Sequence, residues 1–261
     1  MNVAVITGAS MGLGEEFARQ MAARKLNLVL VARSEDKLRT LAEELQKRHG
    51  IQAIPFACDL SKPGASGLVH EFLTKNGLHP TWLVNNAGFG LVGEFDSMDA
   101  GRITDMMMLN MVALVDLTRL LAPALRLGND SRIINVASTA AFQPVPFFNV
   151  YAATKVFVLN FSDALHEELR GSPVKVLALC PGPTPTNFAQ NGGLDPAIFE
   201  KGQSAKDVVR MGLQASDRNR AVLVCQRVLF TILLRFIPRF VVRFAAGKMA
   251  RSFMRNGAVK R

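Results

Sequence analysis

Tyr151 is the single tyrosine of this 261-residue chain, and Lys155 follows it by four positions in Tyr-Ala-Ala-Thr-Lys. The stretch around them reads as a helix, and residues four apart on a helix lie one above the other, so phenol and ammonium share a face. An unperturbed tyrosine has a pKa of about 10 and is a poor proton donor or acceptor near neutrality, but a neighbouring cation favours the phenolate and lowers that value. The pair is a short motif, so its weight depends on whether the rest of the chain supplies a cofactor site.

The elements that must position it alternate. Short apolar β-type runs are read at about Val3–Ile6, Leu28–Val31, Ala53–Phe56, Trp82–Val84, Arg132–Ala137, Lys175–Leu179 and Ala221–Val224, with helical stretches between them. This is the pattern of a parallel sheet covered on both faces. One helix opens at Ser34 as N-cap, with Glu35 and Asp36 in its first turn and Leu38, Leu41, Ala42 and Leu45 spaced for one buried face. Another runs from about Tyr151 to Leu169, with Phe157, Phe161, Ala164 and Leu165 expected inward. The fold class expected is α/β: a doubly wound Rossmann fold with a seven-stranded, mostly parallel sheet and a C-terminal helical extension. Residues 1–225 form the catalytic domain and residues 226–261 its basic amphipathic extension. Ligands on such sheets bind beyond the carboxyl ends of the strands.

The loop after the first strand is Thr7-Gly8-Ala9-Ser10-Met11-Gly12-Leu13-Gly14, entering a helix near Gly12. Its glycines allow a tight turn and bring backbone close to a pyrophosphate at the positive end of that helix. The spacing is T-G-x-x-x-G-x-G. With Asn85-Asn86-Ala87-Gly88 after strand four, Ser138 after strand five, Tyr151 with Lys155, and Pro181-Gly182 after strand six, it resembles the ordered motif set of the short-chain dehydrogenase/reductases over residues 1 to about 225.

That resemblance implies roles. Tyr151 would protonate a carbonyl oxygen while a nicotinamide delivers hydride to its carbon, and Lys155 would lower the phenol's pKa and hold the cofactor's ribose. Ser138, thirteen residues before Tyr151, would polarise the substrate oxygen. Asn110 matches the family's helix-kinking asparagine, which holds a proton-relaying water. Asp59 and Leu60 match the adenine contact, while Asn85, Ala87 and Gly88 line the adenosine side. Thr184 and Thr186, after Pro181 and Gly182, match the segment that contacts the nicotinamide carboxamide and phosphates. NAD-preferring folds place an acid at the end of strand two. This chain has Ala32-Arg33 there, and a guanidinium suits a 2′-phosphate, with Ser10 a second donor, so the expected cofactor is NADP(H).

Phe89, Leu91, Phe142, Val145, Phe147 and Phe148 in the loops after strands four and five, and Phe188, Leu194 and Phe199 after strand six, would surround the carbonyl. They point to an apolar ketone or alcohol, such as a fatty acyl, steroid or lipid-like compound, or else pack on one another or on a partner subunit. Of these, Phe89, Phe142, Phe148 and Phe188 are taken as substrate contacts.

Charge is uneven. Residues 1–218 hold 21 Lys/Arg and 21 Asp/Glu; residues 219–261 hold ten Lys/Arg and no acid, which accounts for the whole net +10. Arg227, Arg235, Arg239 and Arg243 recur at multiples of four among apolar residues, with Pro238 dividing the run. This texture is similar to that of the 17β-hydroxysteroid and 3-ketoacyl reductase branch. It fits an interfacial helix on an anionic membrane, a cover over the cleft, or a dimer contact; it lacks the exposed base-reading residues of a nucleic-acid binder. Cys58, Cys180 and Cys225 have no metal spacing, so no metal is expected, and the compartment is read as reducing. The N-terminus starts a strand without a signal-like h-region, and neither charge-poor stretch, Ile133–Thr154 nor Val176–Leu194, suits a membrane span. Localisation is read as cytoplasmic, peripheral at the membrane if the tail docks, and the oligomer as a homodimer or tetramer. Against the NADPH-dependent reductase stand a 3-oxoacyl carrier-protein reductase and a non-catalytic NADP-binding sensor or scaffold. The scaffold predicts decay of the set Asn110, Ser138, Tyr151 and Lys155, and all four are present.

Overall fold

The computed structural model describes residues 1–186, 188, 197–200, 202–225 and 241–247. The strands are β1 (Asn2–Thr7), β2 (Leu28–Ala32), β3 (Ala53–Ala57), β4 (His79–Asn85), β5 (Ser131–Val136), β6 (Val174–Cys180) and β7 (Val222–Val224). They pair in the order β3-β2-β1-β4-β5-β6-β7, every pairing parallel, so the expected "mostly parallel" sheet is wholly parallel among the described residues. Burial on both faces explains the sequence pattern: β2 and β5 are buried at every position, which favours continuous Val, Leu and Ile runs over alternation.

The main helices are α1 (Gly12–Ala23), α2 (Glu35–His49), α3 (Ala65–Lys75), α4 (Ala100–Met107), α5 (Ala113–Arg126), α6 (Asn149–Glu168) and α7 (Ala205–Asp217). On one face of the sheet Phe17 and Met21 of α1, Leu38 and Leu45 of α2, and Val208 and Leu213 of α7 pack on Ile6, Leu30 and Leu179. On the other, Val69 and Leu73 of α3 and Leu117 and Leu121 of α5 pack on Val5, Val29, Leu83 and Ile133. The strand order reverses between β1 and β4, which opens the ligand crevice of a doubly wound sheet at their carboxyl ends.

Two local expectations change. Ser34 does stand at the N-cap of α2, but its hydroxyl makes no capping bond and faces the crevice. On α6 the buried stripe is Tyr151, Thr154, Lys155, Val158 and Ser162, while Phe157 is 40% exposed and Ala164 is exposed. A polarity-based reading turns that helix the wrong way because its inner polar groups are satisfied. Asn135 Nδ2 donates to Ser162 Oγ at 2.9 Å, and Thr154 Oγ1 donates to Tyr151 O at 2.7 Å. Leu194, Arg227, Arg235, Pro238 and Arg239 lie outside the described residues, as does most of the 226–261 extension.

Candidate active site

A cavity of about 610 Å³ runs along the carboxyl ends of the strands, within the usual size for a small-molecule or cofactor site. Its floor is built by two loops locked together. Thr7 Oγ1 accepts from the backbone N–H of Asn86 and of Ala87, both at 3.0 Å, and Asn86 Nδ2 donates to Thr7 O at 2.9 Å. The helix that follows comes close: a Cβ at Gly14 would stand 2.1 Å from Gly8 O, so no other residue fits there. Gly8, Ser10, Met11, Gly12 and Leu13 line the cavity, and Gly14 lets α1 begin beneath them. The pairing of Asn residues is read one position off in the sequence. Asn85 is 4% exposed and faces away, donating to Thr118 Oγ1 at 3.0 Å and Asn135 Oδ1 at 2.9 Å; Asn86, Ala87 and Gly88 line the crevice. Side chains alternate along a strand, so the end of β4 decides which asparagine turns inward.

At the carboxyl ends of β2 and β3 the residues expected to meet an adenosine gather. Arg33, exposed at the end of β2, lines the cavity with Ser10, Asp59 and Leu60. Asp59 Oδ1 accepts from Ser61 N at 3.1 Å and Ser61 Oγ at 2.8 Å. Burial works against its charge, yet the Ser61 bonds and the Arg33 and Lys62 cations prevail and hold its carboxyl below the usual range. Glu35 and Asp36 are not in the wall; Glu35 pairs with Arg39 one turn on.

At the reacting end Ser138, Tyr151 and Lys155 converge on one wall. Ser138 Oγ accepts from Ala140 N at 3.1 Å and lines the cavity beside Tyr151. Burial pushes the Tyr151 phenol up to about 12, and the Ser138 hydroxyl nearby works the other way. The expected lowering by Lys155 is not seen in the protein alone. Nζ donates to Val136 O at 2.7 Å and lies 5.7 Å from the tyrosine ring centroid, with its own pKa pushed down to about 8 by burial. Asn110 does not reach the cavity. It is 1% exposed in a π turn, Met108–Val112, where its amide donates to Phe89 O at 3.0 Å and Thr154 Oγ1 at 3.1 Å and its oxygen accepts from Phe89 N at 3.2 Å. It ties the loop after β4 to the helix that carries the tyrosine. Thr184 and Thr186 line the cavity beside Pro181 and Gly182, and a Cβ at Gly12 would meet Thr186 Cβ at 3.2 Å, so that segment lies over the glycine loop.

The apolar end holds Phe89, Val92, Val145, Phe147, Phe148, Phe188 and Phe199. Phe142 is the exception among the substrate contacts expected: it packs with Leu114, Val158 and Leu159 beside α6, because the helical turn Thr139–Phe142 carries it away from the crevice. Leu91 is core rather than wall. Phe147 takes its place in the wall with a left-handed backbone, φ 63°, braced by Gly93 N donating to its carbonyl at 3.0 Å. Gln143, Arg102 and Ala246 line the cavity as well; no sequence motif marks them.

The residues present fit a nicotinamide dinucleotide: a glycine cradle with backbone held open, a cation at one end of the cavity, and a proton donor at the other. Among the described residues no group of His, Cys, Asp and Glu could hold a metal.

A family model described as short chain dehydrogenase matches residues 2–196. A very-long-chain 3-oxoacyl-CoA reductase of Neurospora crassa is 36% identical over 176 residues, 66% of this chain and 53% of that protein, so the chain spans about half the length of the curated relative it matches. Among solved structures, a short-chain dehydrogenase from Sphingobium yanoikuyae in complex with NADPH superposes with a TM-score of 0.81 at 29% identity, covering 100% of this chain and 97% of that one. A bulky-bulky ketone specific alcohol dehydrogenase from Comamonas testosteroni gives 0.77 at 26% identity, covering 100% and 96%.

Proposed function

This chain belongs to the short-chain dehydrogenase/reductase family, and on that premise we propose that it is an NADPH-dependent oxidoreductase interconverting an apolar ketone and its secondary alcohol. The observation that carries the reading is that Tyr151, Ser138 and Lys155 line one cavity with the glycine loop and Arg33. A reduced nicotinamide held along the glycine loop and the Pro181–Gly182 segment would supply hydride to the carbonyl carbon. Tyr151 gives its proton to the oxygen, and Ser138 hydrogen-bonds that oxygen as charge develops on it. Lys155, on the same cavity wall and bonded to Val136 O, is the residue that would hold the cofactor's ribose.

The aromatic wall around Tyr151 excludes water and suits a long acyl or similarly bulky apolar body, in keeping with the relative named for 3-oxoacyl-CoA and the neighbour named for bulky ketones. The acid-free basic tail favours a second reading, an acyl chain presented by an acidic carrier protein. The test is NADPH and NADH oxidation with long-chain 3-oxoacyl substrates, free, coenzyme A-linked and carrier-linked, beside short polar ketones and beside Tyr151→Phe. A long-chain preference lost in the variant is expected. Preference for small polar ketones, or full turnover in Tyr151→Phe, defeats the reading, and turnover of carrier-linked substrate alone selects the second. Failure of every ketone to turn over, with NADP(H) still bound, would leave the sensor or scaffold.

We place this activity in the cytoplasm, in a homo-oligomer joined through the outer side of α6. Phe157 and Phe161 stack there with ring centroids 6.1 Å apart, and Val156, Val112 and Met107 are exposed on the same helix and on its neighbours. Phe157→Glu is expected to shift the solution mass to that of a smaller species.

A further inference from the structure

Residues 241–247 form a helix whose two sides differ. Val242 and Ala246, one turn apart, are 7% and 9% exposed, and Ala246 is part of the cavity wall. A Cβ at Gly247 would lie 3.7 Å from Pro146 Cγ, so the inner side rests on the loop that also presents Phe147 and Phe148. The outer side carries Phe244, 77% exposed, with Val241 and Arg243 also exposed.

An aromatic ring held out in water beside an aliphatic side chain and a guanidinium is the composition that settles at a lipid headgroup boundary, ring in the acyl region and cation at the phosphates. The sequence on either side of it matches that partner in charge: the last acidic residue is Asp217, and residues 219–261 hold ten Lys/Arg. We propose that the outer side of residues 241–247 docks on an anionic lipid surface and so holds the apolar end of the cavity, which the inner side walls, against the bilayer. The docking stands apart from the reaction; only the delivery of a bilayer-dissolved substrate to Tyr151 rests on the function proposed above.

The full chain is sedimented with phosphatidylcholine vesicles with and without phosphatidylglycerol, as wild type, as Arg243→Glu/Phe244→Asp, and as Ala246→Leu. Wild type should partition to the anionic vesicles and be released by salt. The double variant should partition about tenfold less or weaker still, with NADPH affinity, melting temperature and reduction of a water-soluble ketone unchanged. Ala246→Leu, on the inner side, should keep vesicle binding while narrowing the range of substrate lengths. Equal partition of wild type and the double variant overturns the proposal. So does a wild type that ignores anionic vesicles while the double variant alone loses subunits in solution, since a second copy of the chain would then be what covers the patch.

Discussion

The ring of Phe148 lies on the ring of Tyr151, with centroids 4.2 Å apart and planes 21° from parallel. Phe188 meets the same ring at 5.4 Å and 55°. The phenol is thus held between two aromatic groups from separate loops, in the offset and tilted arrangements that aromatic pairs favour. The stack leaves no room above it: a Cβ at Gly90 would stand 2.5 Å from the Phe148 ring and 3.1 Å from Tyr151.

Gly90→Ala must therefore displace Phe148 and loosen the tyrosine without touching the glycine loop. The expected outcome in steady-state kinetics is a kcat lowered about tenfold, with NADPH affinity unchanged. Unaltered kcat would separate the stack from catalysis.

With one tyrosine in the chain, tyrosinate absorbance reads a single group. Burial raises that group to about 12, and the Ser138 hydroxyl opposes the rise. The cofactor-free protein should titrate well above the free-tyrosine value of about 10, Ser138→Ala higher still, and the NADP⁺ complex lower, since positive charge near the phenolate favours it. Because the folded pKa lies above the unfolded one, this group's contribution to stability is present below the unfolded pKa and is lost as pH rises through about 12.

Lys155 is destabilising where it sits. Burial pushes its amine down from 10.5 to about 8, so at neutral pH the folded protein carries a buried ammonium that its surroundings disfavour, held by the bond to Val136 O. Here the folded pKa lies below the unfolded one, so wild-type stability gains relative to Lys155→Met as pH rises from about 8 toward 10.5. Denaturant melts at pH 7 should find Lys155→Met more stable and inactive. A less stable variant at pH 7 would contradict this balance.

Arg33 stands in the cavity wall where a 2′-phosphate would meet it, with Asp59 near enough for their charges to interact. Arg33→Glu is expected to weaken NADPH binding at least about tenfold and to bring NADH to parity or better, read as dissociation constants by quenching of the single tryptophan. Unchanged preference would move the 2′-phosphate contact to another residue.

Much of this site was legible because its signals are local. Glycines at a strand-to-helix turn, a lysine one turn beyond a tyrosine, and an arginine at a strand end are each fixed by backbone geometry within a few residues. The misreadings arose where a residue's direction depends on distant partners. Asn85 and Asn86 are chemically equal, and only the buried Thr118 and Asn135 decide which turns from the crevice. Phe142 and Phe147 are both plausible walls, until a helical turn removes one and a left-handed residue returns the other. The inner face of α6 was hidden because Thr154, Lys155 and Ser162 look like surface residues when their partners are unseen. Lys155 shared a face with Tyr151 as spacing required, but spacing could not show that its ammonium bonds to a strand carbonyl 2.7 Å away instead.

The π turn at Met108–Val112 acts as a phase adjuster within one continuous helix from Ala100 to Arg126. One surplus residue in a turn advances everything beyond it by about 100°. Met106, before the turn, keys into the group around Tyr151 and Leu91, whereas Ala113, Leu117, Leu121 and Leu125, after it, are indexed to the sheet. A regular helix could satisfy only one of these two clients. Excising a single residue between 108 and 112 would leave every side chain of the reacting wall intact in composition, yet force the molecule to choose between a sound core and an aligned phenol.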